Sequence, residues 1–218
     1  MALTCCNCCG NGFSKTQVVF DLYSGNKLKM KKRATSLPGV FLLEPRVFGD
    51  SRGFFLESYS QRTFAELGIT ELFVQDNHSY SEKNVVRGLH YQIRQPQGKL
   101  IRVITGEILD VAVDLRRSSP TFGKWESFKL SGENKYILWI PVGFAHGFRV
   151  LSPTAHVLYK ATDFYAPEHE RTVLWNDPAL NIDWQFDGKP AASAIVSAVV
   201  SAKDQRGLPF EQAEKFDS

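Results

Sequence analysis

The sequence predicts an all-β domain, a sandwich or a barrel, with short helices at its periphery. From residue 37 onward, short apolar segments are separated by Gly, Pro, Asp and Asn. Many short segments at this spacing are typical of strands joined by turns. Long helical patterns do not alternate with them, which argues against a parallel sheet with crossover helices. At 218 residues with 43% hydrophobic positions, the chain can bury a substantial core within one domain.

The first elements are two strands and a helix. Residues 40–43 and 52–59 have the composition of early strands. Residues 60–67 predict a short helix, with Ser60 as its N-cap and Gly68 as its stop. The β-rich segments that follow are residues 73–75, 99–105, 108–115, 125–130, 136–140, 145–151 and 155–164.

Apolar residues alternate with Asp and Ala along residues 109–115, which predicts a strand with one buried face. After Pro167 the chain is rich in Pro, Asp and Asn, and we expect it to wrap around the outside of the β domain. The low-complexity stretch at residues 191–202 is compatible with either a strand or a loop insertion.

The charge distribution separates an N-terminal segment from the rest of the chain. The net charge is +3, but residues 1–33 contain six basic residues and one acidic residue. The remaining body contains 20 basic and 22 acidic residues, so it has no positive excess to attract a nucleic acid. We therefore expect a flexible extension over residues 1–33, a functional domain over residues 34–218 and no nucleic-acid partner. No apolar run approaches the length of a membrane-spanning helix, so we expect no membrane partner either.

All four cysteines lie within residues 5–9, as a Cys-Cys-Asn-Cys-Cys cluster. A structural zinc site usually needs a second, distant pair of ligands, which this cluster lacks. The body contains no cysteine, and the N-terminal segment lacks the features of a secretory signal. These observations favour a cytoplasmic protein.

Two of the five histidines stand in motifs that suggest chemistry. His146 closes a Pro-x-Gly-x-x-His pattern at residues 141–146, which resembles the second motif of the cupin barrels. The first cupin motif supplies a His-x-His pair to a metal, and here it reads His90-Tyr91-Gln92. Two imidazoles fall short of the three protein ligands that a catalytic metal usually has. The resemblance thus implies a jelly-roll barrel, a double-stranded β-helix, with no metal and no cofactor.

Seven segments in chain order carry a more specific resemblance. They are residues 50–55 (DSRGFF), 75–77 (QDN), 87–92 (RGLHYQ), 119–123 (SPTFG), 145–148 (AHGF), 175–178 (WNDP) and 201–204 (SAKD). Together they resemble the dTDP-4-dehydrorhamnose 3,5-epimerases, which belong to the cupins, over residues 37–210. The resemblance implies an isomerase that inverts C3 and C5 of dTDP-4-dehydro-6-deoxy-D-glucose through enolates, within dTDP-L-rhamnose synthesis.

The resemblance also implies roles for individual residues. His90 would be the base, Asp204 would orient its imidazole, and Tyr159 would be the acid on the opposite face of the sugar. Each epimerisation needs such a base, an opposing acid and a group that stabilises the enolate oxygen. Lys99 corresponds to the lysine near the keto oxygen, and His146 to a second imidazole in the same cavity.

Further positions match the family's substrate contacts. Arg52 and Arg87 would bind the diphosphate, because guanidinium groups suit phosphate oxygens. Tyr165 would stack on the thymine ring. The other matching positions are Glu57, Gln75, Asn77, Glu170 and Lys203. The family also implies a homodimer.

Three alternatives remain at this level. A related enzyme inverts a single centre, C3 or C5, of another deoxysugar. A metal-dependent cupin oxygenase is disfavoured by Gln92, and a non-catalytic sugar-nucleotide binder is disfavoured by the set of His90, Tyr159 and Asp204.

Overall fold

Strands account for nearly all of the regular structure in residues 30–185 and 198–217, the residues that the computed structural model describes. The strands are β1 (Lys31–Ala34), β2 (Phe41–Glu44), β3 (Val47–Asp50), β4 (Gly53–Leu56), β5 (Gln75–Glu82), β6 (Val85–Gln92), β7 (Lys99–Thr105), β8 (Glu107–Asp114), β9 (Trp125–Ser131), β10 (Ile137–Ile140), β11 (Phe144–Val150), β12 (Thr154–Ala161), β13 (Glu170–Thr172) and β14 (Val199–Val200). In the described residues the strands are accompanied by the α-helix α1 (Gln61–Glu66) and by two short 3₁₀ turns at Pro167–His169 and Asp204–Arg206.

The strands form two large sheets that enclose a common interior. The first has the order β1-β2-β10-β7-β12-β5, and the second has the order β13-β6-β11-β8-β9, with β14 beside β6. Except for the β14–β6 pair, neighbours within both sheets run antiparallel. Apolar side chains from both sheets, such as Ile101, Val103, Ile108 and Phe148, pack together between them. The predicted all-β jelly-roll barrel is confirmed.

Strand β8 departs from the prediction of one buried face. All its residues from Ile108 to Asp114 are buried. Val111 and Val113 face outward and pack beneath Trp175 and Trp184 of the C-terminal segment. The opposite face, which includes Asp110, lines the interior. The prediction of one buried face was wrong because the segment after Pro167 covers the outer face of this sheet.

The predicted helix is confirmed. Ser60 caps α1, since its hydroxyl accepts a hydrogen bond from the Thr63 N–H. Phe64 is the buried residue of the helix, and it packs with Tyr59 and Phe73 against the outer side of the first sheet. Gly68 follows the helix with a φ of +81°, a conformation that glycine adopts without strain.

The folded region begins before residue 34, the predicted boundary. Met30 is buried, and β1 starts at Lys31 and pairs with β2. The side chains of β1 are exposed, and Lys31 and Arg33 form ion pairs with Glu44. The boundary was placed too late because β1 is an exposed edge strand with basic side chains, and its sequence resembles an unstructured basic segment. Residues 1–29 lie outside the described residues.

The sequence prediction covered only the start of β5 and did not include β6. Strand β5 extends to Glu82, and its polar side chains mark it as the exposed edge of the first sheet. Strand β6 contains Gly88, which has a φ of +117° and lies where the pairing with β11 shifts register.

The remaining differences are smaller. Residues 52–59 contain the second strand of the β3–β4 hairpin rather than one long strand. Of the stretch at residues 191–202, Val199–Val200 forms β14, and residues 191–197 lie outside the described residues. Within the described ranges, no helix has the length and apolar character to cross a membrane.

Candidate active site

A His–Asp pair stands at the centre of the polar part of the interior. His90 lies on β6, and its Nε2 is 2.6 Å from Oδ1 of Asp204. β14 runs parallel to β6 and brings the chain alongside it, so that Asp204 reaches His90 four residues later. The second carboxylate oxygen of Asp204 accepts a hydrogen bond from the Gly88 N–H at 3.3 Å. Both oxygens of a buried carboxylate are thus engaged, and the imidazole is fixed in one orientation.

The charge of Asp204 is stabilised by these contacts. Burial is the largest single influence and would raise its pKa, but the hydrogen bond and charge of His90 and the Gly88 N–H together hold the pKa below its usual value. Asp204 therefore remains a carboxylate at neutral pH. Because its partner atom is Nε2, Nδ1 of His90 is the nitrogen left to exchange a proton with a ligand.

A second His–Asp pair lies beside the first. His146 on β11 is in register with His90, and its Nε2 is 2.9 Å from Oδ2 of Asp110 on β8. Burial raises the pKa of Asp110 and lowers that of His146, although each opposes the shift of the other. Oδ1 of Asp110 is buried and makes no hydrogen bond within the described residues. Asp110 was not among the predicted site residues, although an acid in the middle of an apolar strand was a signal for it.

Lys99 brings a cation to the same region. Its ammonium donates a hydrogen bond of 3.4 Å to the carbonyl oxygen of His90. Burial lowers the pKa of Lys99 to about 8, while the negative charges of Asp110 and Glu170 oppose that shift. Lys99 is therefore a partly buried proton donor that loses its charge at a lower pH than an ordinary lysine does.

Tyr159 stands on β12, paired with Ile101 of β7 and Asn77 of β5. Burial raises its pKa; the positive charge of Arg87 opposes that shift, and the negative charge of Glu170 adds to it. The phenol is therefore protonated at neutral pH. Arg87 is held by the hydroxyl of Ser81, 2.9 Å from its Nε.

A third group of side chains surrounds an exposed tyrosine. The hydroxyl of Tyr165 donates to Glu170 Oε2 at 2.7 Å, which raises the pKa of Tyr165 to about 12. Lys203 pairs with the same oxygen at 2.5 Å. Gln75 accepts a hydrogen bond from the Tyr165 backbone N–H and donates one to Asn77. Tyr165 remains 52% exposed, so it is accessible to a ligand.

Arg52 and Glu57 lie apart from this group. Arg52 sits at the β3–β4 hairpin, where Asp50 holds its guanidinium and the side chain is 84% exposed. Glu57 accepts a hydrogen bond from the Thr63 hydroxyl of helix α1. Local neighbours on the same chain therefore hold both side chains.

Gln92, which replaces the second histidine of the cupin motif, has a positioning role. Its amide donates to the carbonyl oxygens of Gln95 and Phe164 and accepts from the Ala166 N–H. These bonds fix the loop that carries Tyr165. Within residues 30–185 and 198–217, no group of three or more His, Cys, Asp or Glu side chains is arranged to hold a metal ion.

The chain is similar to known sugar-nucleotide epimerases. The family profile described as dTDP-4-dehydrorhamnose 3,5-epimerase matches residues 34–212. The dTDP-4-dehydrorhamnose 3,5-epimerase of Pseudomonas aeruginosa is 58% identical over 86% of this chain and 99% of its own length. The Salmonella typhimurium enzyme of the same name is 59% identical over 73% of this chain and 88% of its own length.

Solved structures show the same likeness. The dTDP-6-deoxy-D-glucose-3,5-epimerase of Legionella pneumophila, solved in complex with dTDP-4-keto-L-rhamnose, aligns with a TM-score of 0.78 and 48% identity. The alignment covers 84% of this chain and 94% of that protein.

Proposed function

The chain belongs to the dTDP-4-dehydrorhamnose 3,5-epimerase family, and from that membership we propose how its own residues carry out the reaction. It is an isomerase that inverts C3 and C5 of dTDP-4-dehydro-6-deoxy-D-glucose through enolate intermediates, giving dTDP-4-dehydro-L-rhamnose for dTDP-L-rhamnose synthesis. The observation that carries the mechanism is the oriented His90–Asp204 pair, set among a partly buried lysine, a second imidazole and a partly buried tyrosine.

His90 is the base in this mechanism. The C4 carbonyl of the substrate acidifies the hydrogens on C3 and C5, and Nδ1 of His90 removes each of them. Asp204 keeps the ring proton on Nε2 and stabilises the imidazolium that forms. The 2.6 Å contact and the lowered pKa of Asp204 support this assignment.

Tyr159 is the acid that returns a proton to the other face of the sugar. Its raised pKa keeps it protonated until the enolate forms beside it. A positioned phenol donates its proton and recovers it from solvent or from the spent base between turnovers.

Lys99 and the His146–Asp110 pair stabilise the reacting sugar. The ammonium of Lys99 lies beside His90, where it can neutralise the charge that develops on the C4 oxygen. Oδ2 of Asp110 holds the imidazole of His146 in place, and that imidazole lies in register with His90, where it contacts the sugar.

The nucleotide occupies the more exposed side of the site. The accessible ring of Tyr165 stacks on thymine, with Glu170 and Lys203 fixing the phenol. Arg87 binds the diphosphate. Gln75 and Asn77 complete the contacts.

We also propose a homodimer. Arg52 and Glu57 match family substrate contacts, yet neighbours on their own hairpin and helix hold them. The hairpin also exposes Phe54 and Phe55, which are 62% and 53% accessible. A second copy that covers this hairpin would bury both rings and bring Arg52 to the partner's substrate. Light scattering coupled to size exclusion gives the mass; a monomeric mass for an active enzyme would contradict the dimer.

The mechanism needs no cofactor, since the substrate's own carbonyl supplies the activation and Lys99 the positive charge. Activity is therefore expected to survive exhaustive chelation, and loss with rescue by one particular metal would overturn this part of the proposal. A cytoplasmic location is proposed because residues 34–218 contain no cysteine, which fits a reducing compartment. Cell fractionation tests it.

The direct test of the activity is NMR of the product formed from the dTDP-4-keto sugar in D₂O. The enzyme is expected to give the L-configured product with deuterium at C3 and C5. His90→Ala is expected to abolish exchange at both carbons, whereas the control His169→Ala, which removes a histidine outside the catalytic pair, should retain it. Exchange at a single carbon in the wild type would indicate a single-centre epimerase, and normal exchange in His90→Ala would remove His90 from the mechanism.

A further inference from the structure

A second pair of histidines lies on the outer face of the first sheet. His78 is on the edge strand β5 and His156 is on the neighbouring β12, one step apart diagonally, since His78 is opposite Leu158 and His156 is opposite Tyr80. Side chains alternate along β5, so the half-buried neighbours Asn77 and Ser79 face the interior while His78 is exposed. The pair is therefore separated from the candidate active site by the thickness of the sheet.

The two rings point ring nitrogens at each other. His78 Nε2 and His156 Nδ1 are 2.9 Å apart, and the ring centroids are 5.1 Å apart. Zinc binds imidazole nitrogen at about 2.0–2.1 Å in a tetrahedral arrangement, so two nitrogens on one zinc are about 3.3 Å from each other. The observed 2.9 Å is a hydrogen-bond distance a few tenths of an ångström shorter, so small rotations of the two rings would bring both nitrogens to one cation.

We propose that His78 and His156 form a two-imidazole chelate for a divalent transition-metal cation such as zinc. Without the cation, one neutral ring donates its N–H to the lone pair of the other. When the cation binds, the donor ring moves its proton to its other nitrogen, so both lone pairs face the metal and neither ring loses a proton. Water fills the remaining coordination positions.

Tyr80 and the sheet hold this chelate in place. The Tyr80 ring packs against His156 with centroids 5.0 Å apart, which restricts the orientation of that imidazole. The antiparallel pairing of β5 and β12 fixes the two backbones on which the ligands stand. The two imidazoles are therefore largely ordered before the cation binds, which favours a chelate over two independently binding histidines. The site is independent of the epimerase activity, because the residues assigned to the reaction project from the opposite face.

The experiment is a titration of the full-length protein, labelled with ¹⁵N at histidine, with zinc chloride. Imidazole resonances report on each histidine separately, so metal bound by Cys5, Cys6, Cys8 and Cys9 does not confuse the result. The resonances of His78 and His156 are expected to shift together with one dissociation constant. Removing a residue that hydrogen-bonds to a metal ligand already lowers metal affinity about 10–100-fold. Removing a ligand itself should therefore weaken zinc binding at least about tenfold.

Three variants complete the design. His156→Ala removes one ligand. His78→Asn keeps a hydrogen-bonding partner for His156 but supplies a poor metal ligand. Both variants are expected to weaken zinc binding at least about tenfold. His169→Asn removes a histidine elsewhere and is expected to bind as the wild type does. Turnover is expected to be unchanged in the two site variants. If only one or neither of the two imidazoles shifts, or if His78→Asn binds zinc as tightly as the wild type, the chelate does not exist and the pair is a hydrogen bond.

Discussion

Replacing Asp204 with asparagine keeps the shape of the side chain and removes its charge. One carboxylate oxygen contacts His90 Nε2 at 2.6 Å, and the other accepts from the Gly88 N–H at 3.3 Å. An asparagine offers one acceptor and one NH₂ donor to these two positions. Because the Gly88 N–H needs an acceptor, we expect the amide oxygen to turn toward Gly88 and the NH₂ group toward His90.

This orientation gives His90 the wrong tautomer. A donor at Nε2 requires a lone pair there, so the ring proton moves to Nδ1, the nitrogen that must take the substrate's proton. In Ser-His-Asp hydrolases the same replacement lowers kcat about 10⁴-fold for this reason. The lost hydrogen bond to a charged group is itself worth about 1.5–3 kcal/mol, or roughly 10–150-fold in rate. We therefore expect kcat to fall about 10²–10⁴-fold, with little change in KM.

Initial rates of sugar inversion measured by NMR give kcat and KM, and a thermal melt verifies that the variant folds. Asp76→Asn is the matched control, since Asp76 lies on the outer face of β5 and pairs with Lys160 at 2.9 Å. It should turn over at the wild-type rate. Wild-type kcat in a folded Asp204→Asn variant would refute the role given to the His–Asp pair.

Three further predictions follow from individual residues. Because burial lowers the pKa of Lys99 to about 8, the ammonium is lost as pH rises through that value, so kcat should fall there. Lys99→Arg stays charged, so its pH–rate profile should lack this fall at alkaline pH. The same fall in Lys99→Arg would contradict the assignment. Gly88→Ala should lower the melting temperature much more than Gly53→Ala does. Both positions have positive φ, but a Cβ at Gly88 would lie 2.6–2.7 Å from backbone atoms of β11, whereas a Cβ at Gly53 would meet open space. Equal melting temperatures would show that the clash at Gly88 is relieved. Mixing inactive Arg52→Ala and His90→Ala chains should recover up to about a quarter of wild-type activity. Half of the dimers are then hybrids, and each hybrid has one intact site of its two. No recovery would show that Arg52 does not contribute to the partner's site.

The fold could be predicted wherever burial followed strand periodicity. Residues 99–105 were predicted as a strand, and β7 has these same bounds. The capped helix at Ser60 was also predicted, because capping depends on local hydrogen bonds. Strand β5 was predicted too short because, as an exposed edge strand, it has polar side chains. Strand β8 was predicted to have one buried face because the residues that cover its other face lie far along the chain.

The site could be predicted only through the family resemblance, because the residues that form it are brought together by long-range pairing. Asp204 is 114 residues from His90, and no local pattern links them. Asp110 was missed because its alternation with Leu109 and Val111 marked it as the solvent side of a strand, whereas it lines the barrel interior. The outward placement of Arg52 is set by its own hairpin, which a match to a motif does not specify.

The most direct test of the mechanism is NMR of the sugar that Tyr159→Phe produces in D₂O. The phenylalanine keeps the ring's packing and deletes only the proton donor, so substrate binding and folding should be retained. The variant is expected to exchange hydrogen for deuterium through His90 while net inversion, chiefly at C5, falls about 10²–10⁴-fold, the usual contribution of a positioned acid. The sugar should then be deuterated but unaltered in configuration, or inverted at C3 alone. Doubly inverted product at the wild-type rate would show that Tyr159 is a packing residue and that another group supplies the proton.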